Sequence, residues 1–502
     1  MKRWVIGSVL ILFFFLSFLI SWGQEKQVNT GGLYDSAIEY FHQGKYDEAI
    51  VKFSEIVLSS PNSKLVPYSQ FMIGQCYFRM ERYEEALRQF ELYLKTYPDG
   101  DRVGEVEKGI RILQEKIKGE KGRDEIVSSQ AKGVKRRICS QVFYFDGKNL
   151  GEVEKKVKQL KNAGVDTLFI RAFQNKGDRI YKFATPLHEE GVYFKTEYAP
   201  VVDDILGKVA EIVHRNGLDL FAWITTRYAN YGFEGNPEYR CKSYNFEKKK
   251  MELAKGFNLF HPDVVKRLEG LFRDLGRYPI DGILFQDDLI LRHNEDFSND
   301  ANKAFLKEFG YSPHPDLFYI DPYKSDSGKY YVKAYTERFW TWANWKNRWL
   351  MNIADRLMKA ARESNPNLKF GINLYYESVL NHSNAVGWFS QSLPRALETD
   401  FDYYAVMAYH RQTMKELKME EGQAIDLMAE VAGKAVKAVG DPAMVLMKVQ
   451  ILDWKGYEVI PKKEVEQVLT KILEQGNVSL AFVPYIDQFP LSSLKRKWIN
   501  PK

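Results

Sequence analysis

The rhythm of hydrophobic positions changes twice along this chain. From Trp4 to Trp22 apolar and small residues run without a break; over 33–118 apolar residues return every three to four positions; from Ile138 they come as short continuous runs between amphipathic stretches. The middle pattern is that of helices with one buried face, and the last that of strands covered on both sides of a parallel sheet. Strands are expected at 138–146, 167–173, 218–225, 282–287, 369–375, 403–409, 444–452 and 478–485, with helices between them such as 150–163, 202–215, 263–278 and 424–439. Eight strands alternating with helices predict an α/β fold, a closed (β/α)8 TIM-type barrel over 138–490.

The helical stretch repeats itself. Gly44-Lys45-Tyr46-Asp47-Glu48-Ala49-Ile50 returns as Glu81-Arg82-Tyr83-Glu84-Glu85-Ala86-Leu87, and Phe53 and Pro61 return as Phe90 and Pro98, all at an offset of 37 residues. The period, the alanine at a tight helix crossing and the closing proline resemble tetratricopeptide repeats. Two units and a closing helix over 103–117 predict a small all-α domain at 33–118, and the charged segment 119–137, which lacks apolar rhythm, reads as a linker. A short solenoid cannot hide its own apolar face, so a protein partner is expected there, with a structural spacer as the alternative.

Composition sharpens this picture. A length of 502 residues suits two or three domains, and the net charge of +6 is too dispersed for a nucleic-acid surface. Met1-Lys2-Arg3, the apolar run and the small residues Ser21 and Gly23 before Gln24 describe a secretory signal peptide at 1–23, while the run 4–22 is also long enough to remain as a membrane anchor. Either way the protein is expected outside the cytoplasm, in the periplasm or an equivalent compartment. Cys76, Cys139 and Cys241 are odd in number and far apart, which is no disulfide framework, and no close Cys/His cluster suggests a metal or other cofactor.

The chemistry gathers at Ile280-Asp281-Gly282-Ile283-Leu284-Phe285-Gln286-Asp287-Asp288, an apolar strand that ends in two carboxylates. The C-terminal strand ends form the active face of such a barrel. Adjacent strand residues point to opposite sides, so one acid should face the mouth while the other supports it or holds a loop. The remaining strand ends carry Asp146, Arg171, Trp223, Asn373 with Tyr375 and Glu377, Tyr409 with His410, Gln450 with Asp453, and Tyr485, a polar and aromatic ring suited to a neutral, hydroxyl-rich substrate. Two long insertions, 227–260 and 289–335, leave the same face as candidate walls of a cleft. In the first helix after them Trp342, Trp345 and Trp349 share a face, which reads as core rather than as a sugar platform. Glycoside cleavage needs a carboxylic acid held protonated beside the leaving oxygen, and paired acids raise one pKa toward that state.

Residues 138–490 resemble the C-terminal glycoside-hydrolase-like domain of the poly-β-1,6-N-acetylglucosamine N-deacetylase (PgaB) family. The matching pieces, in order, are Gln141 to Asp146, Val165 to Phe173, Ala222-Trp223-Ile224, Tyr278 to Asp288, Asn373-Leu374-Tyr375, Tyr404 to Ala408 and Gln450 to Trp454. The resemblance implies hydrolysis of a partly deacetylated β-linked N-acetylglucosamine polymer, with Asp287 and Asp288 as the catalytic positions. A looser similarity to chitinase-type barrels, whose fourth strand ends Asp-Gly-x-Asp-x-Asp-x-Glu, implies that Asp288 is the proton donor and puts Gln286 where those enzymes have their middle Asp. Gln286 cannot act there as an anion, and it also stands where the PgaB family commonly has His. Ahead of the barrel this chain has repeats where that family has a metal-binding deacetylase module, so no deacetylase activity is expected. Asp146, Glu377 and Asp453 are the alternatives for the nucleophile or base. A polysaccharide-binding protein without turnover, docking on an assembly through its repeats, is the competing reading.

Overall fold

The computed structural model describes residues 30–60, 63–114, 116, 134–145, 147–178, 180–181, 185–325, 328 and 330–494. The leader or anchor expected at 1–23, most of the linker, and Asp146 lie outside the described residues. Among the described residues no helix is long and apolar enough to cross a membrane. The chain divides into two compact units, at Ile126 and Val127.

The first unit is helical throughout: α1 (Thr30–His42), α2 (Tyr46–Ser59), α3 (Val66–Arg79), α4 (Tyr83–Thr96) and α5 (103–114). The repeat is visible in its turns. Gly44, after α1, and Glu81, after α3, hold the same place in their units and both adopt positive φ, 74° and 58°. Glycine reaches that conformation freely; Glu81 carries the strain of a side chain there. Ala49 and Phe53 of α2 and their counterparts Ala86 and Phe90 of α4 are buried in two adjoining apolar clusters. The approach of α3 to α4 is so close that a Cβ on Gly74 would lie 2.3 Å from the Phe90 ring.

The second unit is a closed barrel of eight parallel strands: β1 (Ile138–Val142), β2 (Thr167–Arg171), β3 (Asp219–Ile224), β4 (Gly282–Phe285), β5 (Lys369–Leu374), β6 (Tyr403–Ala408), β7 (Val445–Gln450) and β8 (Ser479–Val483). Each strand pairs with its sequence neighbours, and β8 closes on β1. The principal helices are α6 (Leu150–Asn162), α7 (Leu206–Arg215), α8 (Pro262–Leu275), α9 (Asn299–Phe309), α10 (Glu337–Ser364), α11 (His410–Leu417), α12 (Glu421–Val439) and α13 (Lys462–Leu473). Alternation along the strands divides the core in two. Cys139, Phe169, Phe221, Leu284, Ala405, Leu446 and Ala481 fill the barrel, and residues between them, such as Ile170, Ile283, Ile372 and Val449, pack under the helices. The glycine of the Asp-Gly pair follows from packing, because a Cβ on Gly282 would stand 2.3 Å from Phe221 and 2.6 Å from the Lys369 carbonyl.

Arg137 closes the end of the barrel at which the strands begin. Its guanidinium donates to the Tyr403 hydroxyl at 2.6 Å, Thr167 Oγ1 at 2.8 Å and Asp219 Oδ2 at 2.5 Å. Composition put this residue in the linker, yet its three partners make it part of the barrel. The long insertions are built around an antiparallel pair, Arg240–Asn245 with Lys250–Phe257, and around α9 with a second pair, Tyr319–Lys324 and Tyr330–Tyr335. Trp342 and Trp345 of α10 are buried, and Trp345 and Trp349 both stack on Phe260, with ring centres 4.9 and 4.8 Å away, so these rings are core. All three cysteines are free and buried.

Candidate active site

The two acids after β4 have opposite surroundings. Asp288 is 1% exposed. Its carboxylate accepts hydrogen bonds from Thr225 Oγ1 (2.5 Å), the Thr226 amide (3.1 Å) and hydroxyl (2.9 Å), and the amides of Arg227 (2.7 Å) and Tyr228 (2.7 Å). Five donors from one turn after β3 close around a single side chain. Such a carboxylate ties the base of the first insertion to β4 and has no free oxygen to offer a substrate, which reverses the preference for Asp288 as proton donor.

Asp287 is only partly buried, and no other side chain among the described residues hydrogen-bonds to its carboxyl. Burial raises its pKa; the Lys448 ammonium opposes the rise and the Asp288 charge adds to it. Lys448, from the middle of β7, is 3% exposed and donates to Asn373 Oδ1 at 2.8 Å. Burial lowers its pKa to about 8, against the attraction of Asp287. Asn373 in turn donates to the Phe285 carbonyl at 2.8 Å, which ties β5 to the end of β4. Tyr375 and Tyr409 both feel the Asp287 charge, and burial holds both phenols above their ordinary pKa. The Tyr375 ring stacks on Phe389 at 4.3 Å, and Tyr409 meets Trp454 edge-on at 5.6 Å. One carboxyl, one ammonium, one amide and two tyrosines thus converge at the mouth.

Trp223, Gln286 and Gln450 sit at inward positions, and Trp223 Nε1, Gln286 Oε1 and Gln450 Oε1 are buried without a protein partner among the described residues; Gln141 Oε1 of β1 is a fourth such atom. Arg171 is engaged by Asp178 and lies over Phe173 and Trp223, 4.4 and 5.8 Å from their ring centres. Burial raises the Glu377 pKa, and its Oε2 has no partner.

Three expected site residues point elsewhere. His410 is fully buried, with Nε2 2.7 Å from Glu464 Oε1, because the chain turns into α11 after Tyr409 and carries the imidazole toward α13. Its other ring nitrogen, Nδ1, is buried without a protein partner among the described residues. Asp453 accepts from Lys415 Nζ at 2.7 Å through each oxygen and from the Lys455 amide at 3.0 Å, and these contacts outweigh burial and hold its pKa low. Tyr485 donates to Asp487 at 2.6 Å and lines a groove beside α6. Lys448 was missed from sequence. Its signal, a lysine in the apolar run Val445–Gln450, is plain once the inward positions are known. Among the described residues no group of three His, Cys, Asp or Glu side chains is placed to hold a metal ion.

Residues 146–483 match the family described as "Hypothetical glycosyl hydrolase family 13". The chain belongs to this family. Residues 68–100 match the tetratricopeptide repeat. The poly-beta-1,6-N-acetyl-D-glucosamine N-deacetylases of Escherichia coli K12 and O157:H7 are each 26% identical over 299 residues, which is 57% of this chain and 40% of theirs. The chain therefore spans less than half the length of these curated relatives. Among solved structures, the glycoside hydrolase domain of PgaB (BpsB) from Bordetella bronchiseptica is similar at a TM-score of 0.59 and 20% identity, over 73% of this chain and 100% of that one. A beta-galactosidase from Bacillus circulans sp. alkalophilus aligns at 0.50 and 10% identity, over 70% of this chain and 50% of that one. These two likenesses concern the fold.

Proposed function

We propose that the barrel is a glycosidase of an exported protein, cleaving a β-linked N-acetylglucosamine/glucosamine polymer with Asp287 as the general acid. The observation that carries this reading is the Asp287 carboxyl itself, which faces the mouth without another side chain to bind it and is biased toward its protonated form by burial. Asp287 gives its proton to the glycosidic oxygen as the bond to the sugar breaks, and the positive charge that develops on the sugar ring needs a second group to attack or to activate water. Asp453 is taken by Lys415, so of the three carboxyls weighed for that role Glu377 is the described one left. The partly buried rings of Tyr375 and Trp454 give a sugar flat surfaces to lie on. The polymer is taken from the name of the Escherichia coli relatives. The tetratricopeptide repeats would hold the enzyme to a protein partner.

The test is product release from partly deacetylated poly-β-1,6-N-acetylglucosamine by the parent, Asp287→Asn and Glu377→Gln. Loss of a general acid should cut turnover about 10²–10⁴-fold in Asp287→Asn and leave binding intact. Saturable binding by a parent that releases no product would replace this reading with that of a polysaccharide-binding protein.

A further inference from the structure

Lys448 is a group at the mouth that lies outside the pieces carrying the family resemblance. A lysine in the interior of a barrel strand forfeits much of the hydration of its ammonium, and such groups persist where a charge is needed. Among the described residues the one hydrogen bond of its ammonium is to Asn373 Oδ1, and Asn373 is tied in turn to the Phe285 carbonyl, two residues before Asp287; the Asp287 charge acts on the ammonium without a direct ion pair. The other groups around the pair come from the ends of β4, β5 and β6. They are Asp288 beside Asp287, Tyr375 after β5 and Tyr409 after β6, whose ring centre is 6.0 Å from the Lys448 nitrogen. Arg292, Tyr228 and Glu377 stand one step further out, around Tyr375. Among these only Lys448 presents a buried cation to Asp287.

We propose that Lys448 is a positioning residue for Asp287: an ammonium fixed by Asn373 that draws the carboxyl into the mouth and balances the charge left on it after proton donation. This rests on Asp287 being the acid. In the donation step the Asp287 O–H bond breaks, the proton goes to the glycosidic oxygen, and that oxygen leaves with the electron pair of its bond to the sugar. The carboxylate so formed meets the field of an ammonium that Asn373 already holds to the end of β4, a preorganised charge that lowers a barrier without moving at the moment of reaction. The apolar lining makes the pairing stronger than the same pair would be in water.

The test uses the full chain and the variants Lys448→Met and Lys448→Gln, the second of which keeps a hydrogen bond to Asn373 and loses the charge. Infrared titration of the protonated Asp287 carboxyl, isolated by subtracting Asp287→Asn in each background, reads the pairing without turnover. The Asp287 midpoint should rise by about one pH unit in both variants, as it does when a nearby opposite charge is removed. The alkaline limb of kcat/KM should move up with it, and kcat/KM at the optimum should fall about tenfold or more. A midpoint that stays put in both variants, or that Lys448→Gln restores, would overturn the proposal and reduce Lys448 to a hydrogen-bond donor. A parent without turnover whose midpoint still shifts would leave the pairing standing and sink the glycosidase reading.

Discussion

Neighbouring acids should have opposite effects on stability. Replacing Asp288 with Ala deletes the acceptor of three backbone amides, those of Thr226, Arg227 and Tyr228, and of two threonine hydroxyls. The hydroxyls can turn to other acceptors; the amides cannot. A buried donor without a partner costs roughly 1–3 kcal/mol, and water entering the vacated space recovers part of that, so a loss of about 3–5 kcal/mol is expected. Asp287 differs, because its raised pKa means that the folded state holds the proton to higher pH than the unfolded chain does. Stability then falls as pH rises above the ordinary carboxylate range, and at pH near 7 Asp287→Asn should be neutral or stabilising. The assay is urea unfolding followed by tryptophan fluorescence, which reports on the barrel because no tryptophan lies between Trp22 and Trp223. With a slope of ~3 kcal/mol/M, Asp288→Ala should lower the midpoint by about 1–1.7 M. An Asp288→Ala midpoint equal to the parent's, or an Asp287→Asn midpoint lowered as far, would refute the assignment of brace and acid.

Other expectations follow from the same contacts. Glu464, bound by His410 and Arg411, has its pKa held down to about 2 in spite of burial, against an ordinary 4.5. Its contribution should be present above pH 4.5 and vanish as pH falls toward 2, and Glu464→Gln should flatten the acid side of a stability profile. Gly74→Ala drives a Cβ into Phe90 and should cost the repeat unit about 1–3 kcal/mol, read by circular dichroism of the helical unfolding transition. A parent-like transition would mean that the helices move apart freely. Activity should be lost as pH rises through the elevated pKa of Asp287, and a pH–rate profile without an alkaline limb would exclude a protonated carboxyl as the acid.

The barrel was legible because a covered parallel strand advertises itself: Ile283, Leu284 and Phe285 are apolar on both faces, and each of the eight runs became a strand. The repeat was legible because it is a local pattern. The acid pair was half legible. The pleat requires one carboxyl to turn away, but β4 ends at Phe285, and past the last ladder residue alternation no longer decides which. The answer came from Thr225 to Tyr228, some sixty positions earlier, whose amides converge on Asp288. His410 failed likewise, since its partner Glu464 lies 54 residues on. Lys448 escaped because a hydrophobic run draws attention away from the one charge inside it.

The two ends of the barrel show how much of its polarity serves folding. At the end where the strands begin, the buried Arg137 guanidinium meets Thr167, Asp219 and Tyr403, an arrangement complete without a ligand. At the other end the Lys448 ammonium has Asn373 as its one hydrogen-bond acceptor among the described residues, while Gln141, Trp223, Gln286 and Gln450 each bury a polar atom that no described protein group satisfies. Stability alone would favour apolar residues at those inward positions, because a buried polar atom without a partner costs more than the methylene that could replace it. Four such atoms and a lysine at inward positions are therefore better understood as acceptors and donors held ready for something that arrives from outside, as the proposed role of Asp287 requires.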